Sequence, residues 1–188
     1  MNKLKGNQIL YLDMDGVVVD FVRGMEEYGV YYPYHEVSDK LYKAMEDNLE
    51  KNLFSNLPVL PGGDLFLDLY RNNEGRIKFL SALPAHWTYE QFTEGTRQKL
   101  EWLQANLGME LYDRSDLITV LGSRNKKYYS TTPEGLPNML VDDLHRTCKE
   151  WDSREGRAVH YPSNGLCKEH QIVIAVETVR YIREYYLL

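Results

Sequence analysis

The chain has 188 residues, 43% of them hydrophobic and 27% charged, which is enough for one good core and ordinary for a soluble globular protein. Its formal charge of −6 argues against wholesale binding of nucleic acid or anionic membrane, since both favour broad basic surfaces. No segment resembles a signal peptide or a membrane span, and Cys148 and Cys167 lack any CxxC or Cys/His metal spacing, so the expectation is a reduced, cytoplasmic protein.

Gln8 to Asp13 reads as a short buried strand that runs straight into Asp13-Met14-Asp15-Gly16. From Asp20 to about Leu57 the composition changes. Leu41, Ala44, Met45 and Leu49 give a helix over Ser38–Asn52 its apolar stripe, with Ser38 placed to cap it. This segment, 20–57, is expected to be a small helical cap inserted after the first strand, leaving 1–19 and 58–188 as the core domain. Pro58 and Pro61-Gly62-Gly63 punctuate its end, and Asp64–Asn72 returns as a helix. Arg76–Ser81 is a second strand ending in a hydroxyl. Tyr89–Leu107 is a long amphipathic helix with Leu100, Leu103 and Leu107 inward, stopped by Gly108. Leu117–Leu121 is a third strand, leading into Gly122-Ser123-Arg124-Asn125-Lys126-Lys127. Asn138–Asp142 is a fourth, ending in Asp142-Asp143. Arg157–Tyr161 is a fifth, followed by a helix over Gln171–Tyr186.

Short apolar strands alternating with helices predict an α/β, Rossmann-like fold: a mainly parallel five-stranded sheet flanked by helices. Chemistry in such sheets collects at the carboxyl ends of the strands. Polar residues stand there in four cases: Asp13/Asp15, Ser81, Arg124/Lys126 and Asp142/Asp143.

Burying carboxylates at a strand end costs several kcal/mol, on the order of what only a cation or strong donors offset. A hard divalent cation such as Mg²⁺ favours carboxylate and carbonyl oxygens and commonly accompanies phosphate. Asp13, Asp15 and Asp142 suffice to hold Mg²⁺ and leave one carboxylate for other work. A carboxylate beside the metal can attack phosphorus to form an aspartyl-phosphate, and a second acid two residues on can protonate the leaving alkoxide. Ser81 offers a donor to a phosphoryl oxygen. A cation comes from Lys126 or Lys127, between which spacing does not choose.

These four stretches, Asp13-Met14-Asp15-Gly16-Val17, Ser81, Lys126 and Asp142-Asp143, resemble in order the motifs of the haloacid dehalogenase superfamily of phosphohydrolases, over roughly residues 8 to 161. The resemblance implies a sheet of that superfamily's type, with Asp13 as nucleophile and Asp15 as general acid/base. It implies Mg²⁺ on Asp13, the backbone carbonyl of Asp15 and Asp142, supported by Asp143, and a phosphoryl group held by Ser81 and Lys126. Within the superfamily the chain resembles the 5′(3′)-deoxyribonucleotidases, through Asp13–Phe21, Leu65–Leu69, Lys99–Gly108 with its Trp102, Ser123–Lys126 and Leu140–Asp143. Ser123-Arg124-Asn125-Lys126 looks like the Thr-Arg-Asp-Lys of that branch, which favours Lys126. Phe21 matches the aromatic that stacks on the nucleobase, and Arg124 joins it as a substrate-binding residue. The insertion is shorter than in that branch, and Leu83-Pro84-Ala85-His86-Trp87 replaces a different loop.

The expected activity is Mg²⁺-dependent hydrolysis of nucleoside monophosphates, with the insertion acting as a lid. The alternatives are hydrolysis of a sugar-phosphate or of a nucleic-acid terminal phosphate, or a non-catalytic nucleotide- or phosphate-binding module on the same fold. The partner is a small phosphomonoester, neither membrane nor extended nucleic acid, and a homodimer stays open. Ser81 as a simple cap, Phe21 as packing and Trp87, Trp102 and Trp151 as core are the plainer readings. His86 and His160 receive no role.

Overall fold

A computed structural model describes residues 3–31, 39–73, 75–107 and 114–187. Ser38 and Gly108, the expected cap and stop of two helices, lie outside them.

Five parallel strands, β1 (Leu10–Leu12), β2 (Ile77–Leu83), β3 (Leu117–Leu121), β4 (Met139–Asp142) and β5 (Arg157–His160), form one sheet in the order β3-β2-β1-β4-β5. The strand nearest the N-terminus is thus the central one. Its Leu12 pairs with Phe79 on one side and with Val141 on the other, which leaves Asp13 just beyond the sheet's carboxyl edge. A strand flanked on both sides must have two apolar faces, and β1 does. Leu10 and Leu12 face a large core built with α3 (Gly63–Arg71), α4 (Tyr89–Leu107) and α6 (Lys168–Ile182). Tyr11 faces a smaller core with Leu80, Val120, Leu140 and Trp151, the last from α5 (His145–Asp152). The wound α/β sheet expected from the alternation of elements is therefore what forms.

Two helices escaped the periodicity. The first, α1 (Phe21–Glu27), has seven residues, contains Gly24 and shows almost no apolar stripe; Asp20 caps it by accepting the Arg23 amide at 3.2 Å. The other is α5, set by Trp151 and Cys148 on an otherwise polar segment. The C-terminal helix starts at Lys168 rather than Gln171, because its first turn is polar and exposed. It ends at Ile182, and a single wide turn over Arg183–Leu187 follows. Strand β2 continues past Ser81 to Leu83, so Ser81 sits inside the strand, opposite Thr119 of β3.

Residues between β1 and α3 carry α1 and α2 (Asp39–Leu49) and a 3₁₀ turn at Phe54–Asn56. Val19 and Val59 bridge at the base of this excursion. Leu41, Met45, Leu49, Leu53, Phe54 and Leu57 belong to the same apolar cluster as β1. Buried side chains of α4 also grip it. Gln98 donates to the Leu49 carbonyl at 2.6 Å and accepts the Phe54 amide at 3.0 Å, while Trp102 Nε1 donates to the Leu57 carbonyl at 2.7 Å.

Candidate active site

Asp13 is the first residue past β1, and its amide still donates to the Val141 carbonyl of β4 at 2.9 Å. The chain then coils tightly. The amides of Val17, Val18 and Val19 converge on the Met14 carbonyl at 3.2, 2.9 and 2.9 Å, and Gly16 N–H returns to the Val19 carbonyl at 2.8 Å. This turn needs φ of +80° at Gly16, a conformation that favours glycine. Ser163, fully buried in the loop after β5, donates its hydroxyl to the Gly16 carbonyl and locks the turn.

Lys126 comes from the 3₁₀ segment Ser123–Tyr129 after β3. Its ammonium, 1% exposed, lies 2.6 Å from Asp13 Oδ2 and 2.7 Å from Asp142 Oδ2. Asp142 also accepts the Leu144 amide at 2.9 Å through Oδ1. Asp143 is half-buried; its Oδ2 accepts from Asn164 Nδ2 at 2.5 Å, and its carbonyl accepts from His160 Nε2 at 2.9 Å. Asp13, Asp142 and Asp143 each bring one carboxylate oxygen within 4.8 Å of the others. Of the two adjacent lysines the structure draws Lys126 to this cluster, whereas Lys127 lies over the Tyr128 ring at 5.7 Å.

Three carboxylates around one ammonium leave negative charge uncompensated. Burial pushes the Asp13 carboxyl up to about 7, with Asp142 and Asp15 adding to the rise and Lys126 opposing it. Asp143 is raised well above the carboxylate range, by burial first and then by Asp142 and Asp13. Lys126 is pulled down by burial, but Asp13 and Asp142 outweigh that pull and it stays charged. A cluster of buried hard oxygens short of positive charge fits a divalent cation of the Mg²⁺ kind.

Asp15 faces elsewhere. Both its oxygens accept from Lys99 Nζ of α4, at 2.9 and 2.8 Å, and Lys99 is 1% exposed with its ammonium 4.5 Å from the Phe54 ring centre. Ser81 is fully buried, and its hydroxyl has no hydrogen-bond partner among the described residues. Such an orphaned donor at the sheet interior fits a ligand that would complete it. Phe21 opens α1, half-buried against the main core. Arg124 is exposed and pairs with Glu150 of α5 at 3.8 Å, outside the Asp13–Lys126 cluster.

Lys99, Ser163, Asn164 and His160 went unread in the sequence as parts of this arrangement. Lys99 carried a signal: it shares the inward stripe of α4 with Leu103 and Leu107, at four-residue spacing, where Leu100 is only half-buried. A lysine on a buried stripe demands an acidic partner. The other three act from the loop after β5 or its last residue, and nothing in their spacing points to Asp143 or Gly16.

No protein-family model matches the chain, and no curated protein matches it either. Among solved structures it is similar in outline to a hydrolase from Pseudomonas syringae, at 10% identity over 89% of this chain and 90% of that one, with a TM-score of 0.46. It is similar to a hydrolase from Streptococcus pneumoniae TIGR4 at 11% identity, over 82% of this chain and 92% of that one, TM-score 0.41. A putative beta-phosphoglucomutase from Thermotoga maritima matches at 18% identity, over 90% of this chain and 99% of that one, TM-score 0.43.

Proposed function

We propose that the chain is a Mg²⁺-dependent phosphomonoesterase of the haloacid dehalogenase type that works through a phosphorylated Asp13. The observation that carries this reading is the Lys126 ammonium clamped between Asp13 and Asp142, with Asp143 completing an acidic cluster and the orphaned Ser81 hydroxyl in the neighbouring strand. A non-catalytic binder of phosphate has no use for the two buried carboxylates of Asp13 and Asp142 beside a third.

Asp13, Asp142 and the Asp15 carbonyl would hold Mg²⁺, with Asp143 in support, and the ion would neutralise charge on the phosphoryl group. Asp13 supplies an oxygen that attacks phosphorus in line with the ester oxygen, whose bond to phosphorus breaks. Asp15 gives its proton to the departing alkoxide. It then takes a proton from the water that opens the aspartyl-phosphate, releasing phosphate and restoring Asp13. Lys126 and Ser81 hold phosphoryl oxygens through both steps, donating to the charge that develops there.

The substrate in this reading is a nucleoside monophosphate, of the deoxyribonucleotide class. Support comes from the Asp13–Phe21 and Ser123–Lys126 stretches and from Phe21 at the start of α1, where an aromatic face serves a base. Residues 20–57 act as the cap, with Arg124 at the rim, and the setting is the cytoplasm.

Two measurements test the proposal. Phosphate release from an aryl phosphate is expected to need Mg²⁺, to stop with chelator and to vanish in Asp13→Asn; turnover that survives that substitution overturns the covalent route. A panel of ribo- and deoxyribonucleoside 5′- and 3′-monophosphates beside sugar-phosphates then reads the substrate. Release from sugar-phosphates alone removes the nucleotidase assignment and leaves the chemistry standing.

A further inference from the structure

Lys99 spends its charge in a place where neither packing nor solvation requires it. The inward stripe of α4 is otherwise Gly95, Gln98, Trp102, Leu103 and Leu107, and a leucine or methionine at 99 would fill the same volume without burying an ammonium. Asp15 has no need of a buried partner for its own sake, since its side chain is 25% exposed and open to water. Yet the two meet through both carboxylate oxygens, at 2.9 and 2.8 Å, while the ammonium leans on the Phe54 ring. The pairing therefore fixes direction. Asp15 rides on the tight Met14–Val19 turn, two residues past Asp13, and the like charge of the acidic cluster repels its carboxylate. A cation on the other side opposes that repulsion and sets the carboxylate in one orientation.

We propose that Lys99 is a positioning residue that aims Asp15 at the leaving oxygen of the phosphoester, while Lys126 serves Asp13 and the phosphoryl group. This rests on the phosphomonoesterase reading above. Each of the two reacting carboxylates then has its own buried lysine, from a different element: Lys126 from the segment after β3, Lys99 from the middle of α4. Phe54 and Gln98 tie the 49–57 stretch to the same turn of α4, so that stretch and the acid's orientation share one support.

The test is a series of substituted phenyl phosphates, from acidic nitrophenols that leave without a proton to phenol itself, which needs one. Steady-state kcat/KM is measured for wild type, Lys99→Met and Lys99→Arg in Mg²⁺, with thermal unfolding run on each. In Lys99→Met, kcat/KM for phenyl phosphate is expected to fall about 100-fold, and for the nitrophenyl ester less than about 10-fold, so that the dependence on leaving-group acidity steepens. Lys99→Arg, which can also address both oxygens, is expected to recover part of the wild-type slope. A parallel loss on every ester, with the slope unchanged, marks Lys99 as structural only and overturns the proposal while the phosphatase reading stands. Wild type inactive on the whole series overturns that reading and this one with it. Should Lys99→Met fail to fold, Lys99→Gln carries the same slope measurement.

Discussion

The Cβ that Gly16 lacks would stand 2.5 Å from Cγ of Asp143. The turn after β1 and the acidic pair after β4 approach this closely because glycine is the residue between them. That contact couples the backbone of the Asp-x-Asp turn to a carboxylate of the cluster.

Gly16→Ala is accordingly expected to act twice. A side chain at φ +80° costs about 1–2 kcal/mol by itself, and the clash displaces Asp143 from the cluster. Thermal unfolding with and without Mg²⁺ reads both: a lower melting temperature in chelator, and a smaller increment on adding the metal than wild type shows. An unchanged increment would mean that Asp143 does not take part in holding the ion.

Removing the ammonium at 126 leaves Asp13 and Asp142 facing each other with nothing between them. Lys126→Met is expected to destabilise the fold by about 3 kcal/mol at neutral pH, as for a buried ion group deprived of its partner. Mg²⁺ should restore much of that loss, because a divalent cation relieves the same repulsion. Urea unfolding at several metal concentrations checks both the size and the rescue.

Gln98 offers a handle on residues 49–57. Its amide is satisfied by the Leu49 carbonyl and the Phe54 amide in a fully buried setting. Gln98→Ala strands both backbone groups, at about 1–3 kcal/mol each. Faster hydrogen exchange at the Phe54 amide, with exchange in β4 unchanged, is the expected signature. Uniform acceleration through the sheet would instead mean that 49–57 and the core open together.

Tyr11 predicts an alkaline limit. Burial, and then the neighbouring Tyr129, push its hydroxyl from 10.0 up to about 12. The folded state keeps the proton that the unfolded chain surrenders above pH 10, so this stability is whole below pH 10 and lost as pH climbs to about 12. Tyr161, also raised by burial, adds to the same loss. Urea midpoints followed from pH 9 to 12 are expected to fall less steeply in Tyr11→Phe than in wild type.

Much of the sheet was legible because its determinants are local. Apolar runs such as Met139-Leu140-Val141 and Leu117–Leu121 are strands whatever surrounds them, and Gly/Pro punctuation separates them from helices. Short or polar-faced helices were not legible. Burial of Gly24 beneath Leu57 and Pro58, or of Trp151 against Tyr11, holds α1 and α5 in place, and neither contact is visible along the chain.

The candidate site divides along the same line. Sequence alone determined which residue types stand at the strand ends, Asp13 and Asp15, Lys126, Asp142 and Asp143, because strand and turn propensities act within a few residues. Tertiary structure decided which of them meet: that Lys126 and not Lys127 reaches the carboxylates, that Asp15 turns toward Lys99, and that Gly16, Ser163 and Asn164 hold the turn against Asp143. The reason is physical. A buried charge is tolerable only beside its opposite, and the opposite here comes from a helix or loop dozens of residues away, brought near by the packing of the apolar core.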